Sequence, residues 1–476
     1  MKFSFISASP NEGIDEREGN KSIAAFPPLS ILYLAAVLEE IDVEVSVLDQ
    51  PALGLTVEET LRWVEKENPD VLGFSALASS GQTAAVISSK VKEKNPKVTT
   101  VFGNHYATFN AERILRKYAS VDIIARGEGE KTVVELANCL KNGEDLKKVR
   151  GINFRNEGKI VATPDQPLIK DLDSLPLPDR KLIDADYHCV IAGANIAPKK
   201  FTSIVSSRGC VYACRFCSCT EIAQKRWRPR SAKNTLEELQ FLASEGYKQL
   251  IFVDDSFTMN PKRVIEICRG MRKEKMDMEW ICEGRVDNCS YGMLREMVAA
   301  GCRVIYFGIE NANQRILNYY NKKITPEQSE NAVRTAKKAG VDVIAGSFII
   351  GAADETREEI WNTIKFAQRV PIDLPQFNVL GAHPGNDIWN EFVAKGFIDV
   401  EKHWETGVAV SEVYPGAVPC DEIKQMLHDA FFLHVSRPGF LIEQFAKTLK
   451  SSYRMNVIVS NLSRLAEIRE GVNSVA

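Results

Sequence analysis

Through the first 145 residues, short and nearly continuous apolar runs alternate with segments whose apolar positions recur every three or four residues. Lys2 to Ser7, Val43 to Asp49, Val71 to Leu77, Val98 to Gly103 and Asp122 to Gly127 read as strands, with amphipathic helices between them. Strands that are apolar on both faces and separated by helices predict a parallel, doubly wound, Rossmann-like sheet. Pro27-Pro28 opens the first helix, which carries Leu29, Leu32 and Ala36 on one face. Ligands of such sheets sit beyond the carboxyl ends of the strands. Those ends are Ser75-Ala76-Leu77, Gly103-Asn104-His105 and Gly127-Glu128-Gly129.

The pattern changes between 146 and 198, where Asn156-Glu157-Gly158-Lys159 reads as a hairpin turn and Leu175-Pro176-Leu177-Pro178 follows. This stretch is expected to be a linker. A second β/α alternation begins at Phe201, with strands near 201–206, 249–255, 279–286, 303–310, 341–351 and 376–381. Six such units, over 199–385, predict a partial (β/α)6 barrel of the TIM type or another parallel sheet. Beyond Pro384-Gly385 the strand pattern stops. Asp421 to Val435 and Gly439 to Leu449 look helical, so 386–476 is expected to be a small helical C-terminal domain.

Composition narrows the function classes. The 476 residues carry a net charge of -3 with acids and bases intermixed, which builds no basic stripe for a phosphate backbone. No nucleic-acid partner is expected. No run approaches the ~20 apolar residues of a membrane span, and Met1-Lys2-Phe3-Ser4-Phe5 lacks a signal-peptide core. A cytoplasmic protein without a transmembrane segment is the expectation. Eleven cysteines then read as free thiols or metal ligands.

Three of them are the candidate chemistry. Ser207-Arg208-Gly209-Cys210-Val211-Tyr212-Ala213-Cys214-Arg215-Phe216-Cys217 places Cys210, Cys214 and Cys217 in one loop, directly after the first strand of the second domain. Thiolates are the soft ligands that zinc and iron-sulfur clusters select. A structural zinc site takes four closed ligands, with Cys219 as the available fourth; a 4Fe-4S cluster held by three leaves one iron open to a substrate or cofactor.

A Cys-x3-Cys-x2-Cys loop after a barrel's first strand, with an aromatic before the last cysteine, resembles the radical S-adenosylmethionine (SAM) superfamily. Arg228-Pro229-Arg230-Ser231, Phe252 to Thr258, Arg285-Val286-Asp287, Phe307-Gly308-Ile309-Glu310 and Gly351 to Thr356 fall where similar members carry such blocks. The resemblance implies that SAM chelates the open iron, that Phe216 lies by the adenine, and that Asp255, Arg285 and Glu310 contact SAM. One electron from the cluster would then release a 5'-deoxyadenosyl radical that abstracts hydrogen. It also implies an electron donor of flavodoxin or ferredoxin type.

The first domain is similar to that of the cobalamin-dependent class of the superfamily. Pro27-Pro28-Leu29 through Tyr33-Leu34-Ala35-Ala36, Asp70 to Ser75, Gly103 to Thr108 and Arg126 to Glu130 carry that resemblance. It implies cobalamin contacts from Ser75, Leu77, Gly103, His105, Gly127, Glu128 and Gly129. Two departures stand out. Many cobalamin proteins place an axial histidine in an Asp-x-His-x-x-Gly loop after the first strand, whereas Ala8 to Asp15 has none. Asn104 replaces the second glycine of the usual pair.

The implied activity is a cobalamin-dependent radical C-methyltransferase acting on an unactivated carbon of a small-molecule, lipid or peptide substrate. Such a carbon is no nucleophile and cannot attack a sulfonium methyl directly. Oxidation or cyclisation on the same two domains is the alternative, and a non-catalytic cobalamin or redox sensor is the reading from a different class. Methylthiolation is disfavoured, because Cys139 is the only cysteine before residue 189 and no basic C-terminal module follows. His383-Pro384-Gly385, ending the last strand, is placed to line the barrel mouth.

Overall fold

The computed structural model describes residues 1–11, 26–191 and 193–473, so residues 12–15 of the loop that lacks an axial histidine lie outside the described residues. β1 (Lys2–Ser7), β2 (Glu44–Asp49), β3 (Val71–Ser75), β4 (Thr99–Gly103) and β5 (Ile123–Ala125) pair in parallel. With β6 (Ile152–Asn156) and β7 (Lys159–Ala162) they form a seven-stranded sheet in the order β2-β1-β3-β4-β5-β6-β7. The strand order reverses at β1, which leaves a crevice at the carboxyl ends of the central strands. Helix Leu29–Glu39 buries eight residues, including Leu32, Tyr33 and Leu38, against this sheet.

β6 and β7 belong to the stretch expected as a linker. Both run antiparallel, β6 on β5 and β7 on β6. Ile152 and Phe154 bury against Ile123 and Leu136, and the Arg155 guanidinium donates to the carbonyl of Tyr118 at 2.7 Å. The turn was legible from its residues, but nothing in a hairpin's own pattern names the sheet edge that it joins.

β8 (Val190–Ile191) and β9 (Ala194–Asn195) make a short ladder ahead of the barrel. The barrel strands are β10 (Phe201–Ile204), β13 (Gln249–Phe252), β14 (Glu279–Gly284), β15 (Cys302–Glu310), β16 (Val343–Ile350) and β17 (Leu374–Val379), with β11 (Ser207–Arg208) and β12 (Arg228–Pro229) as a small antiparallel ladder after β10. The six pair in parallel in chain order, and β10 and β17 are the two unjoined edges. Alternation along the strands sorts the side chains. Phe252, Trp280, Cys282, Phe307 and Phe348 pack outward against the helices. Ile251, Ile281, Val304 and Val343 point inward, where Cys189, Ile191 and Tyr453 plug the barrel floor.

The C-terminal region is helical over Asp387–Ala394, Cys420–Val435, Pro438–Thr448 and Ser452–Asn473. Its side chains enter existing cores. Trp389, Phe392 and Trp404 share a cluster with Tyr106 and Ile114 of the first lobe, and Ile423 and Met426 pack on Ile350 and Ile364 of the barrel. No helix of the described residues is long and apolar enough to cross a membrane.

Candidate active site

The cysteine loop leaves β10 and is bracketed by the β11–β12 ladder, which ties Ser207 to Pro229 and Arg208 to Arg228. All three cysteines are partly exposed. The loop is fixed from several sides by its neighbours. The Gly209 N–H donates to Asp255 Oδ2 (2.7 Å), Asn321 Nδ2 donates to the Ala213 carbonyl (2.7 Å), and the Arg215 N–H donates to the Tyr320 carbonyl (3.0 Å). From the C-terminal region, Asn386 Nδ2 donates to the Phe216 carbonyl (3.3 Å), the Ile388 N–H to the Arg215 carbonyl (3.3 Å), and Glu391 pairs with the Arg215 guanidinium.

The charged residues expected to touch SAM are largely engaged by protein. Arg285 grips Asp287 (2.9 and 3.0 Å), donates to the Lys322 carbonyl (3.0 Å), and stacks 3.5 Å from the centre of the Tyr212 ring in the cysteine loop. Glu310 Oε1 accepts from Lys322 Nζ at 2.6 Å, both side chains being buried. Burial alone lowers the Lys322 ammonium, but Glu310 and Cys214 beside it keep it raised. Glu310 sits at φ +65 on a bulge of β15, a left-handed conformation costing roughly 1–3 kcal/mol for a side chain of this size. Its carboxylate and Lys322 Nζ lie where a Cβ on Gly308 would fall, at 2.6 and 2.9 Å, so the glycine makes room for the pair. Asp255 is open to solvent, and Phe216 meets Tyr320 edge-on at 5.4 Å.

A cavity of about 320 Å³ lies between the lobes, within the size range of small-molecule sites. Ser75, Gly103, His105, Gly127, Glu128 and Gly129 line it from the first lobe, and Gly209, Cys219, Val253 and Asp255 from the barrel. Leu77 is not among the lining residues; it turns into the next helix, whose Gly81 N–H bonds its carbonyl. Gly103 and Gly127 face open space, with no protein atom nearer than 3.9 Å to a Cβ built on the first and none within 4 Å of the second. Asn104 adopts φ +77, where glycine is at ease, and its side chain compensates by donating to Ser75 Oγ (2.9 Å) and accepting from the His105 N–H (2.7 Å). The His105 ring opens to the cavity, yet the surrounding protein desolvates it and lowers its pKa.

Glu128 lines the cavity but spends its carboxylate across the lobe boundary. It accepts from both terminal nitrogens of Arg228 (2.8 Å each) and from the Ile169 N–H (2.8 Å). Burial pushes it up, and these donors together with Arg208 bring it below the usual carboxylate range. Arg208 reaches Glu130 at 2.6 Å. Gly385 sits against the Phe109 ring, and the ring of His383 lies between Gly381 and Gly407.

Sequence reading missed Lys322, and quoted Tyr212, Arg228 and Glu355 only within motif blocks, with no role of their own. Glu355 accepts from the N–H groups of Gly351 (2.6 Å) and Ala352 (2.9 Å), fixing the turn after β16. The acid four residues after Gly351 was a usable signal; Lys322 had none, being a polar residue in an unpatterned loop.

The donor set fits the groups implied. Cys217 lies near enough to both Cys210 and Cys214 for its charge to raise their thiols, so the three sulfurs gather on one side of the loop. A cubane takes its thiolates at wider spacing than one ion does. Gly103 and Gly127 leave backbone exposed to a large planar ligand.

Family models agree with this division: the B12 binding domain matches residues 21–137 and the Radical SAM superfamily matches residues 204–367. An uncharacterized methyltransferase of Pyrococcus horikoshii is 36% identical over 419 residues, covering 88% of this chain and 89% of the relative. An anaerobic magnesium-protoporphyrin IX monomethyl ester cyclase of Rubrivivax gelatinosus is 29% identical over 418 residues, covering 85% and 72%. Among solved structures, the radical SAM methyltransferase TsrM from Kitasatospora setae has the same fold, with a TM-score of 0.65 at 17% identity, over 83% of this chain and 75% of that one. The chain belongs to the radical SAM superfamily, as a cobalamin-dependent enzyme whose cofactors are a 4Fe-4S cluster, SAM and cobalamin.

Proposed function

We propose that this enzyme methylates an unactivated carbon of a small-molecule, lipid or peptide substrate held at the barrel mouth. The observation that carries the reading is the shared cavity: the glycine-lined strand ends of the first lobe open onto Asp255 and Cys219 beside the cysteine loop. When bound, the cluster with SAM supplies a hydrogen-abstracting adenosyl radical and cobalamin supplies the methyl group. Cys210, Cys214 and Cys217 would hold the cluster, with Arg285 stacked on Tyr212 and Asp255 bonded to the Gly209 N–H keeping their loop in place. Phe216 and the Glu310–Lys322 pair would border SAM, and Ser75, Gly103, His105 and Gly127 would border cobalamin. An electron donor of flavodoxin or ferredoxin type completes the system.

The test is anaerobic reconstitution with iron, sulfide and hydroxocobalamin, followed by assay for 5'-deoxyadenosine and S-adenosylhomocysteine. Both products are expected, and neither would overturn the reading. Likeness to the cyclase supports a second reading, oxidation or ring closure. That chemistry gives 5'-deoxyadenosine alone and a product that has lost hydrogen.

A further inference from the structure

Glu283, on β14, carries a carboxyl group that the site described so far does not use. It shares strand parity with Ile281, whose side chain joins the barrel interior, while Trp280 and Cys282 pack outward. Its side chain is open to the lumen, and among the described residues no hydrogen bond or ion pair engages it. Two polar pairs of the lumen satisfy one another. The Tyr306 hydroxyl donates to Gln376 Oε1 (3.1 Å), and Asn378 Nδ2 donates to Ser347 Oγ (3.4 Å).

A charge inventory around Glu283 shows what is missing. On β14 itself, beyond the strand end, Arg285 is bound to Asp287. After β13, Asp254 accepts from the Ser206 and Ser207 hydroxyls and faces Arg263, and Asp255 accepts from two neutral donors, the Gly209 N–H and the Cys219 thiol. On β15, Glu310 is paired with Lys322. Below, Cys189 is a neutral thiol pushed up to about 12 by burial. Among the described residues no cation is bonded to Asp255 or Glu283, and Lys322, the cation nearest in effect to Glu283, is spent on Glu310. Burial, with Asp255 and Glu310 nearby, pushes Glu283 up to about 7, the response of a carboxylate that lacks a partner.

We propose that Glu283 is a substrate-binding residue, anchoring a cationic nitrogen, an ammonium or guanidinium, in the barrel lumen; this rests on the lumen being the substrate site. A hydrogen bond between charged groups in an enclosed site is worth enough to set the orientation of the target carbon. The substrate class is accordingly an amine-bearing or guanidine-bearing molecule or peptide side chain.

Calorimetry on the holoenzyme tests this with benzylammonium, cluster and cobalamin loaded, SAM saturating and reductant withheld. Benzylammonium is expected to bind at least about tenfold more tightly than benzyl alcohol or benzoate, and Glu283→Gln to abolish the preference without changing SAM affinity. Absence of the preference in the wild type, or its persistence in the variant, overturns the proposal. Loss of SAM affinity in Glu283→Gln does so too, by making Glu283 a cofactor contact. The product assay above is run on the same wild-type preparation: absent products sink the methyl-transfer reading, whereas intact products with no amine preference sink this inference alone.

Discussion

The two lobes finish their strand ends by opposite means. In the first lobe the surface is backbone: Gly103 and Gly127 contribute no side chain, and the polar groups nearby, Asn104 with Ser75 and His105, bond to one another. At the barrel's strand ends, behind the cysteine loop and outside the cavity's lining, charged side chains are joined in pairs, Glu310 to Lys322 and Arg285 to Asp287. A backbone surface accepts a broad flat ligand and is spoiled by bulk; a surface of paired charges orients a small polar ligand and is spoiled by removing one partner.

Substitutions can break or sharpen that contrast. The largest effect is expected at the cysteines: Cys214→Ala should leave iron content and 5'-deoxyadenosine at background, whereas Cys219→Ala should keep both. Next, Gly103→Leu should cut hydroxocobalamin occupancy by roughly tenfold or more with iron content unchanged, because a side chain would occupy the space a Cβ now finds empty. If iron fell as well, the lobes would not be separable in this way. Lys322→Met strands Glu310 in the interior and should cost roughly 3–5 kcal/mol in denaturant unfolding of the barrel. Glu128→Gln keeps the shape but loses the charge against Arg228 and Arg208, for about 2 kcal/mol by the same measurement.

The smallest effect expected is a pH dependence. Glu283 has a raised pKa, so it is neutral below about 7 and ionised above it. Benzylammonium affinity should therefore rise about tenfold from pH 6 to pH 8, as one carboxyl near 7 ionises. A flat profile would mean that the amine is held elsewhere.

What the sequence disclosed follows from how local each signal is. Strand periodicity and the cysteine spacing are written in contiguous residues, and β1 to β5 and the six barrel strands lie where the pattern put them. Strand ends were overrun where tertiary bonds intervene: Val71 to Leu77 stops at Ser75 because the chain turns at Leu77, whose carbonyl takes the N–H groups of Ser80 and Gly81. Glu128 was legible as a cavity residue, but not as the acceptor for Arg228, a hundred positions away in sequence. Lys322 was hidden because its loop carries no pattern. Its partner Glu310 is brought to it by a bulge that no propensity encodes.

The backing of the cysteine loop also bears on when the cluster can be inserted. Translation delivers Cys210, Cys214 and Cys217 long before Asn386, Ile388 and Glu391, which clasp the loop at Phe216 and Arg215. A chain still on the ribosome thus offers three thiols without the frame that sets their spacing. A version ending before Asn386 should take up iron poorly on anaerobic reconstitution. The spacing of the three thiols is in that sense set by chain nearly two hundred positions downstream of them.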